Sequence, residues 1–143
     1  MSLRTVAIFL LCGLGGCASP GPVFLSGTKA LPAQKQTVFA IEKRDPHLSS
    51  RFMSVVDDEG KTLWNYSDAS GAVKTLVVAP GRYKVRVMVF YPKDERHLLK
   101  SQPVVIVDAK AGGQYLFDSY FSSSGKAVGV SVHHSDHSLL ATK

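Results

Sequence analysis

Between residues 82 and 91 the side chains alternate without a break. Tyr83, Val85, Val87, Val89 and Tyr91 form one series, and Arg82, Lys84, Arg86, Met88 and Phe90 form the other. A period of two places each series on its own face of an extended strand, whereas the 3.6-residue period of a helix would scatter both. One apolar and one largely cationic face describe a half-buried strand of an antiparallel sheet. Such a strand cannot bury its apolar face alone, so the rest of the chain has to supply more strands and a second layer.

From Gln36 onward it contains the material for them. Short apolar segments alternate with turn residues about every ten residues, the pattern of an all-β sandwich or barrel. Strands are expected at residues 37–43, 51–56, 61–66, 73–79, 104–109, 114–121 and 127–133, in addition to the alternating one. Asp57-Asp58-Glu59-Gly60 reads as a hairpin loop whose glycine supplies a positive φ. Pro80-Gly81 reads as a turn joining two of the strands. The polar stretch 92–102 is expected to be a long loop or a helical turn. No stretch of twelve residues carries a helical stripe. The expected fold is all-β, a single antiparallel β-sandwich of about seven to eight strands over residues 37–135, followed by a tail at 136–143.

The first residues have a different character. Arg4 precedes an apolar run from Val6 to Leu14, which ends in Gly15-Gly16-Cys17. A basic start, roughly ten apolar residues and small residues before a cut site are the parts of a secretory signal. The run is well short of the ~18 apolar residues that a spanning helix needs. Leu14-Gly15-Gly16-Cys17 resembles the lipobox of bacterial lipoproteins. That resemblance implies a signal peptide at 1–16 and a diacylglycerol on Cys17; Cys12, behind bulky Leu11, fits the pattern poorly. By the same resemblance, Ala18 in place of an acidic residue favours sorting to the outer membrane, facing the periplasm. Removal of the signal would leave Cys17 as the only cysteine and the lipid would consume it, so no internal disulfide is expected.

Residues 17–36 contain Pro20, Gly21, Pro22, Gly27 and Pro32 and no sustained period, so they are expected to form a flexible tether spanning ~25 Å root-mean-square. Val23-Phe24-Leu25 interrupts it as an apolar patch able to dock on the domain or on lipid. The formal charge of +6 favours anionic neighbours, but no aromatic-rich basic motif argues for nucleic acid.

A second resemblance concerns the domain. Residues 76–87, Leu-Val-Val-Ala-Pro-Gly-Arg-Tyr-Lys-Val-Arg-Val, look like a hairpin of small transthyretin-like and PEGA-like sandwich domains. Residues 111–117, Ala-Gly-Gly-Gln-Tyr-Leu-Phe, resemble a later hairpin of such modules. The two stretches echo each other: an alanine, a glycine turn, one polar residue, then tyrosine. The resemblance implies a binding or spacer module rather than an enzyme.

Candidate sites follow from residue type and spacing. Arg82, Lys84 and Arg86 form a basic stripe able to meet an acidic protein or an anionic glycan, with Lys74 extending it across the Pro80-Gly81 turn. Met88 and Phe90 continue that face as an apolar patch, to be covered by another element or by a partner. His133, His134 and His137 are candidate ligands for zinc or copper, although neighbouring residues of a strand point to opposite faces. Ser135 and Asp136 beside them lack the marks of a catalytic triad. Asp57-Asp58-Glu59-Gly60 does not match a calcium loop. Trp64 and the tyrosines at 66, 83, 91, 115 and 120 are expected in core and sheet-edge packing rather than in a ligand groove.

Together these features describe a lipid-anchored, non-enzymatic lipoprotein of the bacterial envelope, acting as an interaction or structural module. The membrane and another envelope protein are its expected partners, and no cofactor is expected beyond the covalent lipid on Cys17. Two alternatives are a periplasmic ligand-binding module, for metal or anionic glycan, and an inhibitor of an envelope hydrolase.

Overall fold

The computed structural model describes residues 21–69, 71–92 and 98–135. Two five-stranded sheets pack face to face in an all-β sandwich. The strands are β1 (Val23–Phe24), β2 (Thr37–Glu42), β3 (Ser49–Asp57), β4 (Thr62–Asn65), β5 (Thr75–Val78), β6 (Gly81–Pro92), β7 (Leu98–Ser101), β8 (Val104–Ala109), β9 (Gln114–Phe121) and β10 (Val128–Ser135). One sheet runs β1-β5-β2-β9-β10. In the other, β3 lies between β4 and β6, and both β7 and β8 pair with the far side of β6.

The alternating strand is β6, the centre of the second sheet. Tyr83, Val85, Val87 and Val89 are buried, while Arg82, Lys84 and Arg86 are exposed. Opposite them, Phe39, Leu76, Val78, Tyr115 and Phe117 come from the first sheet. Edge-to-face aromatic contacts fasten the layers. Phe117 meets Phe52 at 5.2 Å, and Phe39 meets Tyr83 at 5.9 Å. The expected Asp57–Gly60 loop closes the β3–β4 hairpin, with Gly60 at φ 84° and Lys61 N–H donating to Asp57 Oδ1 at 2.8 Å.

Four features differ from the sequence expectation. First, the first sheet is mixed: β1 pairs parallel with β5 and β2 parallel with β9, while the other pairings are antiparallel. Second, residues 92–102 contain a strand, β7, which extends the line of β8 along β6 and is separated from it only by Gln102-Pro103. Third, Pro80-Gly81 joins strands of different sheets, so it is a corner between layers and not a hairpin turn. Gly81 is already the first residue of β6.

The fourth concerns the tether. Residues 21–36, expected as part of it, are packed on the domain. Val23–Phe24 adds β1 to the sheet, Leu25 N–H donates to Val77 C=O at 2.9 Å, and Leu25 and Thr28 are buried. Gln36 Nε2 donates to Leu31 C=O at 2.8 Å, and Gly112 N–H donates to Gln36 C=O at 3.1 Å. Short 3-10 turns at Thr28–Ala30 and Ala33–Lys35 have no period of 2 or 3.6, which is why the segment looked structureless.

Candidate functional site

The outer face of the β3-β6-β8 sheet carries the cations in ordered rows. Across the β6–β8 ladder Arg82 faces Asp108, Lys84 faces Ile106 and Arg86 faces Val104. On the other side Lys84 faces Val56 and Arg86 faces Ser54. Arg82 Nε lies 3.7 Å from Asp108 Oδ1, with both side chains mostly exposed. Such surface pairs contribute little. Lys84 and Arg86 have no ion-pair partner among the described residues. Beside them Val104 is 50% and Ile106 54% exposed, so the cations border two apolar side chains on the same face.

The rest of the expected stripe is arranged differently. Lys74 lies before β5 in the other sheet, and its ammonium donates to Ser50 C=O. It therefore does not extend the row on β6. Burial holds its pKa below the usual lysine range, and the nearby charges of Lys43 and Arg51 add to that. Lys43 and Lys74 line a cleft of about 250 Å³ with Ile41, Leu48, Ser49 and Ser50. Nothing in the sequence marks this cleft, because strand pairing alone brings residues 43 and 74 together.

Met88 is covered from within the chain. Arg51 lies across from it on β3, with its guanidinium 4.5 Å from the Tyr66 ring centroid and 5.8 Å from that of Phe90. Arg51 Nη1 donates to Tyr66 Oη at 3.0 Å and Nη2 contacts Met88 Sδ at 3.3 Å. This cation–π stack buries Met88 from within the chain and leaves Phe90 half-buried.

His133 and His134 sit near the end of β10 and point to opposite faces. His133 Nε2 lies 3.1 Å from Ser131 Oγ, while the His134 ring rests 5.0 Å from the Tyr115 ring. His137 lies outside the described residues, as do Cys12 and Cys17. Among the described residues no group of three potential ligands gathers for a metal ion. The aromatic expectation is met at Trp64, Tyr83 and Tyr115, which are buried in the core. Exposed Tyr120 lies against Gly129 on β10, where an added Cβ would stand 2.8 Å from its ring, so this tyrosine covers a strand glycine.

No protein-family model, curated protein or solved structure matches the chain.

Proposed function

We propose that this chain is a lipid-anchored, non-enzymatic module of the bacterial envelope. Cys17 holds it to the outer membrane on the periplasmic side, and the outer face of β6 is presented to an anionic region of another envelope protein. The observation that carries the contact is the row of Arg82, Lys84 and Arg86 on the central strand of a rigid sheet. Two of these cations face no carboxylate, and exposed Val104 and Ile106 lie alongside. Cations of this kind, next to apolar groups, suit a partner that brings both acidic and apolar side chains. The anchor rests on its resemblance to the lipobox. Because the domain begins at β1, only residues 18–22 separate it from Cys17, a reach of at most ~18 Å. A domain held so close to the bilayer would meet membrane-bound neighbours rather than partners far across the periplasm.

Metabolic labelling with a palmitate analogue and in-cell crosslinking test the two halves separately. The full chain is expected to take up label, and Cys17→Ala is expected to lose it. A full chain without label overturns the anchor. A discrete protein adduct is expected with the parent and is lost when Arg82, Lys84 and Arg86 are all replaced by Ala. An undiminished adduct overturns the contact, and so does capture of glycan alone.

A further inference from the structure

Four strand edges bound the two sheets, and three of them are blunted. β1 is two residues long, and β4 is four residues long with a register shift opposite it. β10 carries Gly129, Ser131 and two histidines in place of an apolar run. The fourth edge is the line of β7 and β8; Lys100 on β7 and Pro103 blunt its first half, whereas the β8 half, Val-Val-Ile-Val-Asp-Ala, has no lysine, proline or bulge. Natural sheets seldom leave such an edge bare, because its free main-chain groups are a template for another strand.

The ladder shows which groups are free. Val87 N–H donates to Pro103 C=O at 3.1 Å, and antiparallel bonding alternates from there. Val105, Val107 and Ala109 therefore bond to β6, whereas Val104, Ile106 and Asp108 turn their N–H and C=O groups away from it. Among the described residues only one of these outward groups has a partner: Asp108 C=O accepts the Tyr115 hydroxyl at 2.7 Å.

We infer that β8 pairs antiparallel with β8 of a second copy of this chain, about a two-fold axis at Ile106. The sequence of this edge is self-complementary in that register. Ile106 meets Ile106 and the pair exchanges both main-chain bonds. At each end Asp108 N–H reaches Val104 C=O of the second copy, which leaves the Tyr115 bond to Asp108 intact. On the outer face each end row reads Arg82, Asp108, then Val104 and Arg86 of the second copy. Asp108 thus comes between two arginines, one from each chain. Strands lie ~4.8 Å apart, so Arg86 spans about two spacings by laying its stem over Val104. This gives Arg86 a carboxylate that no described residue offers it, and sets Ile106 beside Ile106 of the second copy on an outer face that stays open to a further partner. On the inner face half-buried Val105 meets Val107 of the second copy, which joins the two cores. Isologous two-fold pairing of this kind is the commonest route to a closed dimer.

The pairing does not depend on the lipid, and its test does not either. Ile106→Cys is introduced into the full chain, and whole membranes and soluble extract are treated with copper phenanthroline before a non-reducing gel. A covalent homodimer is expected with Ile106→Cys. It is not expected with the parent, which keeps its own cysteines, nor with Lys61→Cys on the β3–β4 hairpin. A homodimer no stronger than in the Lys61→Cys control overturns the inference, as does an adduct of Ile106→Cys with a different protein. Sedimentation of the purified full chain is the second readout. The parent is expected as a dimer and Ile106→Lys as a monomer with an unchanged circular dichroism spectrum. A monomeric parent, or a variant that stays dimeric, overturns the pairing.

Discussion

Tyr83 and Tyr115 each return a phenol hydroxyl to the main chain just upstream, at two of the four places where the chain crosses between sheets. Tyr83 donates to Ala79 C=O at 2.7 Å across the β5–β6 corner. Tyr115 donates to Asp108 C=O at 2.7 Å and accepts Lys110 N–H at 3.1 Å across the β8–β9 corner. The echo between Ala-Pro-Gly-Arg-Tyr and Ala-Gly-Gly-Gln-Tyr is therefore one device used twice. The repeat was visible in the residues, but its meaning was not, since a corner and a hairpin begin with the same turn chemistry. Tyr83→Phe is expected to cost ~1 kcal/mol in urea unfolding, and Tyr115→Phe ~1–3 kcal/mol because it also strands the Lys110 donor. Alkali tests the first bond. Burial, then the Asp57 carboxylate, raises the Tyr83 pKa above the 10.0 of the unfolded chain. The folded state thus keeps its proton longer, and this stabilisation is complete below pH 10 and is lost as pH rises through the folded value. Lys74, held below 10.5, acts in the opposite sense, with stability rising across its own window. Both chains share Lys74, so the gap between parent and Tyr83→Phe is expected to narrow above pH 10. A constant gap would show that the phenol proton does not matter.

At the scale of elements, sequence reading succeeded where one strand's own periodicity was sufficient and failed where long-range pairing decided. β8 and β9 were located to the residue, and β6 to within one, because apolar runs bounded by Gly and Pro mark their own ends. The alternation on β6 also marked Arg82, Lys84 and Arg86 as exposed. Val104 and Ile106 escaped notice because a Val-Val-Ile-Val run reads as buried on both faces, and only the strand order makes β8 an edge. The parallel β2–β9 pairing was hidden for the same reason. It brings Glu42 beside Asp118, with Arg44 Nε 3.0 and 3.5 Å from their carboxylates. The docked segment 21–36 gives the sharpest test at this scale. Leu25 is 5% exposed within a stretch that looks like linker. Leu25→Ala is expected to lower stability by ~2–4 kcal/mol in urea unfolding, as for a core leucine. A change under ~0.5 kcal/mol would mean that the segment behaves as the tether its composition suggests.

For the whole molecule, the decisive question is whether two sheets with mixed pairing unfold as one body. Their cohesion rests on a few aromatic side chains. Phe39 touches Tyr83, Tyr115 and Phe117 with centroids 5.6–5.9 Å apart, and Phe117 also meets Phe52 from the opposite layer. None of these contacts involves sulfur, and a lipidated Cys17 would leave no cysteine for an internal disulfide, so on the proposed reading reductant should leave the melting of the domain unchanged. Phe52→Ala removes the second-sheet half of the inter-layer contact with Phe117. It should cost ~3–5 kcal/mol, a large share of the ~5–15 kcal/mol typical of a domain this size. Trp64, the single tryptophan, sits buried on β4 in the shared core and reports on packing there, whereas far-ultraviolet circular dichroism reports on the strands of both sheets. In parent and Phe52→Ala alike, the two signals are expected to follow one urea transition, shifted to lower urea in the variant. If tryptophan fluorescence changes at a lower urea concentration than the dichroism, the core around Trp64 loosens before the strands melt and the two layers do not unfold as one body.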